Sequence, residues 1–315
     1  MPPTASRNLI TRRLLLGQGG AAVLATAAQA QTARQVVVAS KIDTEGALLG
    51  SLIAQTLQAH GVPVQTRLQL GPTFILRQAL LSGAIDIYPE YTGNGAGFFH
   101  REGDPAWHRP QSAWQLAHDL DAPNGIVWLP PAPADNGWGI AVRRDLAARL
   151  GAATVAAPGL TEMAAYLNHG GALTLAASVE FVESRDALPA FEQAYNFRLR
   201  QDQILALAGG DTSATMRGAS QGISGINAAM AYTTDGALDA LNLLLLADPL
   251  HAQIAFQPAP VLRAATLSAH PDIAAWLAPV FAGLTLPRLR ALNGRISVDG
   301  ADPWSVASAY LAGHA

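Results

Sequence analysis

The chain of 315 residues contains no cysteine. This absence excludes a disulfide framework, a thiolate metal site, a cysteine nucleophile and a lipid-modified N-terminal cysteine. Lysine is almost absent too, because nineteen of the twenty basic residues are arginine and the single lysine is Lys41. Charged residues make up only 14% of the chain, and the formal net charge is −3. A chain with so little positive charge is not expected to bind nucleic acid.

Enzyme motifs are scarce as well. The sequence has no P-loop, no G-x-G-x-x-G that opens a helix after the first strand, no H-E-x-x-H and no G-x-S-x-G elbow. Its eight histidines show no metal-ligand spacing. Asp86 and Glu90 flank the end of an apolar strand, and we interpret Asp86 as a structural hydrogen-bonding residue. The sequence therefore favours binding over catalysis, and we expect neither a cofactor nor a metal.

Residues 1–30 have the composition of a secretory signal. They contain three arginines and no acid, followed by an uncharged run at 14–28 and a small-x-small end at 28–30 (AQA). This run is too short and glycine-rich to span a bilayer stably, so we predict cleavage after residue 30 and a periplasmic protein. The segment 11–16 (TRRLLL) resembles a twin-arginine export signal; ordinary export and an uncleaved anchor are the alternatives. Cleavage leaves 17 basic and 23 acidic residues, a net charge of −6.

The rest of the chain alternates short apolar runs with segments of helical periodicity. Strands are predicted at 35–40, 64–68, 85–88, 138–142, 173–177 and 228–232. Helices are predicted at 45–60, 73–82, 272–281, 286–293 and 303–311, and the last three are expected to pack back on the first part of the chain. Strands that alternate with helices are typical of a largely parallel sheet covered on both faces, so the predicted class is α/β.

A proline-rich stretch divides this pattern into two parts. Four prolines between residues 123 and 133 break the chain before the strand predicted at 138–142, so we place a crossing between two lobes there. The expected first lobe comprises 31–136 and 233–315, and the expected second lobe comprises 137–232. No internal repeat and no low-complexity linker is found in the mature chain.

Three segments resemble a known family. They are 40–46 (SKIDTEG), 86–95 (DIYPEYTGNG) and 231–236 (AYTTDG). They resemble the substrate-binding proteins of ABC importers for quaternary-amine osmoprotectants, the glycine betaine/choline group, and within it the OsmF/YehZ-like branch. Weaker similarity extends over residues 35–311. The resemblance implies a type II periplasmic-binding fold, in which two α/β lobes are joined by a hinge and hold the ligand in the cleft between them. It also implies a membrane permease and a separate ATPase as partners.

The chemistry of such a ligand identifies candidate residues. A quaternary ammonium has a full positive charge but no N–H, so aromatic faces hold it by cation–π attraction. We expect Tyr91, Trp138 and Tyr232 to supply these faces, because each lies at or just beyond one end of a predicted strand, where cleft loops arise. A ligand carboxylate needs cationic or N–H donors instead. We expect Lys41 and Arg185 to provide them from opposite lobes.

Each assignment has a plainer alternative. The three aromatic residues fit a hydrophobic core equally well, Lys41 fits an ordinary surface position, and Arg185 could pair with a neighbouring acid. Thr92 and Asn94 are expected in a turn that either faces the ligand or is only a turn. No aromatic residue occurs in 216–226, upstream of Tyr232, where the family pattern has one, so the aromatic box is expected to be incomplete.

The predicted function follows from the motifs together with these residues. We expect a monomeric periplasmic protein that captures glycine betaine, choline, carnitine or a similar solute and delivers it to a permease without covalent chemistry. The alternatives are the same fold with an amino acid or another small solute as its ligand, an exported enzyme on a similar scaffold, and a sensor module.

Overall fold

A computed structural model describes residues 35–151, 158–208 and 212–313. The predicted signal segment lies outside these residues. Within them the strands are β1 (Val36–Lys41), β2 (Val64–Gly71), β3 (Ile87–Tyr91), β4 (Ile126–Trp128), β5 (Trp138–Arg143), β6 (Leu175–Ser178), β7 (Ile204–Leu207), β8 (Ala228–Tyr232), β9 (Leu243–Leu245) and β10 (Pro258–Arg263). The α-helices are α1 (Thr44–Ala59), α2 (Thr73–Leu81), α3 (Asn94–Phe98), α4 (Pro110–Asp121), α5 (Arg144–Arg149), α6 (Leu160–Asn168), α7 (Val179–Glu183), α8 (Leu188–Tyr195), α9 (Thr212–Gln221), α10 (Ala264–Ala269), α11 (Ile273–Ala282), α12 (Leu286–Ser297) and α13 (Pro303–Ala312).

The strands form two five-stranded sheets, one in each lobe. The first has the order β2-β1-β3-β10-β4, in which β1 is parallel to β2 and β3, whereas β10 is antiparallel to β3 and β4. The second has the order β7-β6-β8-β5-β9, in which β6 is parallel to β7 and β8, whereas β5 is antiparallel to β8 and β9. The predicted class of two α/β lobes is confirmed.

Two boundaries differ from the sequence prediction. The strand predicted at 85–88 runs from Ile87 to Tyr91, and Asp86 lies just before it, where its carboxylate accepts the backbone N–H of Val37 at 2.9 Å. The predicted return to the first lobe at 233 is wrong, because β9 pairs with β5 and extends the second sheet. The chain therefore returns to the first sheet only at β10, after residue 245.

Helices cover both faces of the first sheet. Helix α1 starts at the N-cap Asp43, whose carboxylate accepts the N–H of Gly46 at 2.6 Å, and it is followed by Gly61 at φ +76°. Successive β1 residues point into different cores, since Val38 packs with α1 and the C-terminal helices whereas Ala39 packs with α2 and α4. The predicted packing of the C-terminal helices on the first lobe is confirmed, because they share one hydrophobic core with α1.

The two connections between the lobes lie side by side. One runs from β4 to β5 and the other from β9 to β10. The backbone N–H of Asn136 donates to the carbonyl of Phe256 at 3.0 Å, and the N–H of Phe256 donates to the carboxylate of Asp135 at 2.9 Å. These contacts join the connections into a narrow hinge. Among the described helices, none has the length and apolar character needed to cross a membrane.

Candidate functional site

A cleft of about 730 Å³ opens between the lobes beside the hinge. The ends of β1 and β3 reach it from the first lobe, and the start of β5 and the end of β8 reach it from the second. This arrangement follows from the topology, because ligand sites in open α/β sheets lie outside the carboxyl ends of parallel strands. Five of the seven predicted ligand residues line the cleft: Lys41, Tyr91, Asn94, Trp138 and Tyr232.

Aromatic rings face the cleft from both lobes. Trp138 and Tyr232 are partly buried cross-strand partners on β5 and β8, and the Trp138 ring meets Phe181 edge-on at 6.0 Å between centroids. Burial raises the pKa of the Tyr232 hydroxyl, and the nearby indole of Trp138 opposes that rise. Tyr91 and Phe256 line the other side. The cleft can therefore surround a cationic group with π faces.

The ammonium of Lys41 has a buried partner that the sequence did not indicate. Its Nζ donates to Oε1 of Glu90 at 2.5 Å and lies 4.5 Å from the centre of the Tyr91 ring. Lys41 is 6% exposed and Glu90 is fully buried. Lys41 thus lines the cleft as predicted, but as one half of an ion pair rather than as an unneutralised cation.

Glu90 collects hydrogen bonds from four donors. Besides Lys41, its Oε1 accepts the backbone N–H of Tyr91 and Nδ2 of Asn94, each at 2.7 Å, and its Oε2 accepts the hydroxyl of Tyr88 at 2.9 Å. The Asn94 amide therefore lies at the cleft as predicted, with one of its N–H groups oriented by Glu90. A fully buried carboxylate with this many donors holds the floor of the cleft in one arrangement.

The structure does not bring the other two predicted residues into the cleft. Thr92 is fully buried; its hydroxyl donates to the carbonyl of Ala255 at 2.7 Å and accepts the N–H of Gln257 at 3.1 Å, so it fastens the turn after β3 to the hinge. Arg185 is exposed in the loop between α7 and α8 and does not line the cleft. Thr92 therefore holds the turn and does not line the cleft, and Arg185 lies outside the cleft in this conformation.

Sequence reasoning missed a second buried carboxylate, that of Glu45, near the start of α1. Its Oε1 accepts the Tyr91 hydroxyl at 2.7 Å and Nδ2 of Asn136 at 3.0 Å, and its Oε2 accepts Nδ2 of Asn293 at 2.6 Å. Burial raises the pKa of Glu45 to about 6, although its neighbours Thr234, Tyr91 and Asn293 oppose the rise. Burial also raises the pKa of the Tyr91 hydroxyl well above its ordinary value, so this phenol remains protonated as a donor.

The partners of Glu45 connect the cleft to the hinge. Asn136 lies in the first connection, and its Oδ1 accepts the hydroxyl of Thr234 at 2.8 Å. Asn293 on α12 also donates to the carbonyl of Thr234 at 3.0 Å. Glu45 is therefore the acceptor at the centre of a polar cluster that joins α1, the hinge, the segment after β8 and α12.

Acidic groups dominate the charge of the cleft. Four carboxylates line it, those of Asp43, Glu45, Glu180 and Asp235. Among the described lining residues the single base is Lys41, which Glu90 neutralises. In the described part of the chain, no three His, Asp or Glu side chains converge as a metal-binding group. The cleft is thus suited to a cationic ligand.

Residues 34–313 match the model of a family described as the substrate binding domain of the ABC-type glycine betaine transport system. The chain belongs to this family. Its membership confirms the family predicted from the three motifs and the predicted role as the substrate-binding component of an ABC transporter. The family is one of transport proteins, not of enzymes.

Relatives within the family cover most of the chain. It is 51% identical over 282 residues to the glycine betaine-binding protein YehZ of Escherichia coli strain K12, covering 89% of this chain and 91% of the relative. It is 28% identical over 313 residues to a glycine-betaine-binding protein of Pseudomonas aeruginosa, covering 98% of this chain and 95% of the relative.

Solved structures confirm the predicted two-lobed periplasmic-binding fold. The structure of apo YehZ from E. coli has a TM-score of 0.79 at 51% identity, and the match covers 90% of this chain and 99% of the YehZ chain. A structure of a glycine betaine/carnitine/choline ABC transporter has a TM-score of 0.75 at 16% identity, and the match covers 89% of this chain and 98% of the transporter chain. At that identity the second structure shows the fold alone.

Signals for some of the missed residues were present in the sequence. Glu45 and Asp235 belong to two of the three motifs that carry the family resemblance, those at 40–46 and 231–236. Asn293 lies on a C-terminal helix with no motif of its own, and it meets Glu45 across 248 residues of sequence. Nothing in the local pattern indicates that contact.

Proposed function

We propose that this protein is a periplasmic solute-binding component that captures a small quaternary-ammonium compound and delivers it to a permease driven by a separate ATPase. The observation that supports this most strongly is the composition of the cleft, in which Tyr91, Trp138 and Tyr232 meet an excess of carboxylates. Rings and carboxylates both attract a cation that has no N–H to donate. The names of the relatives, which bind glycine betaine, point to the same ligand class.

Five residues make up the proposed ligand shell. The rings of Tyr91, Trp138 and Tyr232 would contact the ammonium methyl groups, while Lys41 and Asn94 at the end of the first sheet would meet any oxygen-bearing end of the ligand. Each desolvated ring contributes up to about 2 kcal/mol, so three rings could supply much of the roughly 8 kcal/mol that a micromolar affinity requires.

The remaining predictions are part of this proposal. We infer that the protein acts as a monomer without a cofactor, carries out no covalent chemistry and does not bind nucleic acid. The acidic mature composition supports the last point, because a net charge of −6 repels phosphates. The signal-like composition of residues 1–30 supports the periplasmic location.

A second ligand class is favoured by one observation. Four carboxylates at the cleft could accept hydrogen bonds from a primary amine, as an amino acid or a simple alkylamine would need. Aromatic rings offer a primary amine no such acceptors. Methylation of the ligand nitrogen should therefore raise the affinity of a site that binds quaternary amines and lower the affinity of a site that binds primary amines.

Calorimetric titration with choline and with ethanolamine, its unmethylated counterpart, tests the proposed function. We expect choline, glycine betaine or carnitine to release or absorb heat with a stoichiometry of one and to change tryptophan fluorescence through Trp138. Ethanolamine should bind at least about tenfold more weakly than choline, because without the methyl groups its nitrogen fills the space between the rings less well. Ethanolamine binding more tightly than every quaternary amine would support the second class. The absence of heat and of any fluorescence change with all quaternary amines would refute the proposal.

A further inference from the structure

The one lysine of the chain sits at a junction that the topology creates. Lys41 is the last residue of β1, and Glu90 lies near the end of the parallel neighbour β3. Parallel neighbours end at the same edge of a sheet, so these side chains meet although 49 residues separate them in sequence. Their contact of 2.5 Å is buried beneath the cleft.

Glu90 is built into the floor of the cleft rather than free to move away from Lys41. Its other contacts are the Tyr91 backbone N–H, the Asn94 amide and the Tyr88 hydroxyl, and none of its surface is exposed. Lys41 is held from two sides, by this carboxylate and by the ring of Tyr91 at 4.5 Å. The net charge that the pair presents to the cleft is therefore zero.

This neutralisation affects ligand classes unequally. A ligand carboxylate gains from a charge-assisted hydrogen bond to an unpaired ammonium, and it gains less from an ammonium already bound to a carboxylate. A ligand whose only charge is a quaternary ammonium does not need Lys41 and gains from each additional negative charge. The same ion pair thus disfavours a zwitterion and favours a simple cation.

We propose that Glu90 is a specificity-determining residue, which lowers the affinity for carboxylate-bearing zwitterions relative to simple quaternary ammonium cations by neutralising Lys41. This inference rests on the proposed function. Glu90 acts through Lys41 and need not touch the ligand, so it is a positioning residue. Its effect appears in the ratio of two dissociation constants, that of glycine betaine divided by that of choline.

Two substitutions at the pair are expected to move this ratio in opposite directions. Glu90→Gln keeps the shape and the acceptor for Lys41, and the Tyr88 hydroxyl can turn to accept from the new amide, so the ammonium is left unneutralised. We expect the ratio to fall by about tenfold, because betaine gains a charge-assisted contact and choline loses an attractive charge. Lys41→Gln leaves Glu90 uncompensated, so the ratio should rise. Glu90→Asp retains the charge and should keep a ratio close to that of the wild type.

Calorimetric titration of the wild type and the three variants with glycine betaine and with choline measures this ratio. Thermal unfolding checks that each variant is folded. If one of the variants Glu90→Gln and Lys41→Gln does not fold, the other alone still tests the direction in which the ratio changes. A ratio within twofold of the wild type in the folded Glu90→Gln and Lys41→Gln variants, or a shift of both in the same direction, would overturn the proposal while leaving the proposed function intact. A wild-type protein that binds neither ligand would overturn the proposed function and this inference with it.

Discussion

The variant in which alanine replaces both Trp138 and Tyr232 is expected to lose about a thousandfold in affinity for choline. Each ring is partly buried at the cleft, and a desolvated cation–π contact contributes about 2 kcal/mol, so removing two costs about 4 kcal/mol. The two residues are direct cross-strand partners, so they form one surface of the site. Calorimetric titration of the double variant measures the loss.

A matched variant separates the rings from their polar atoms. Phenylalanine at both positions keeps two π faces but removes the indole N–H and the phenol hydroxyl, and we expect it to stay within about tenfold of the wild type, since phenyl rings bind cations somewhat less well. Cooperative unfolding of the double alanine and double phenylalanine variants is required, because it shows that both are folded when their affinities are compared. A folded double alanine variant that binds choline within threefold of the wild type would show that these rings do not hold the ligand.

The stability of the protein is expected to depend on pH through Glu45. The pKa of this carboxyl is about 6 in the folded protein, against 4.5 as its ordinary value, because burial disfavours its charged form. A raised folded pKa means that the folded state binds the proton more tightly than the unfolded state. The contribution to stability is therefore fully present below about pH 4.5 and is lost as the pH rises through about 6, with a size of about 2 kcal/mol.

Urea unfolding of the wild type and of Glu45→Gln between pH 4.5 and 7.5 measures this contribution. The free energy of unfolding of the wild type should fall, relative to that of the variant, by up to about 2 kcal/mol across this interval. Glu102→Gln removes an exposed carboxylate outside the cleft and controls for the general effect of losing a charge. Parallel pH profiles for the wild type and Glu45→Gln would contradict the assignment of this titration to Glu45.

The same titration has a consequence for binding. Protonation of Glu45 removes one of the four negative charges that line the cleft. A bound cation favours the ionised carboxylate, so by linkage it lowers the pKa of Glu45, and cation binding is expected to weaken as the pH falls through about 6.

The parts of the site that the sequence predicts depend on local pattern. Tyr91, Trp138 and Tyr232 can be identified because each lies at one end of a strand whose presence the sequence pattern predicts, and the edges of a parallel sheet bring such ends together. The parts that it does not predict depend on partners far away in sequence. Lys41 lines the cleft, but the pattern around it does not show that Glu90 neutralises it.

Boundaries and loops are the other source of error. The run at 243–245 is short and leucine-rich, so its pattern does not distinguish a strand from a helix, and only its pairing with β5 places it in the second sheet. Arg185 follows a short helix, and its position outside the cleft depends on how Phe181 of α7 packs against Phe191 of α8. Neither outcome is determined by residue type.

The most direct test of the central claim compares choline with 3,3-dimethylbutan-1-ol, which has the same shape but carries carbon in place of the charged nitrogen. If aromatic rings and carboxylates hold a cation, calorimetry should show choline binding at least a hundredfold more tightly, the equivalent of about 2.7 kcal/mol. Equal affinities for the two compounds would show that the cleft recognises shape and apolar surface alone, and would contradict the account.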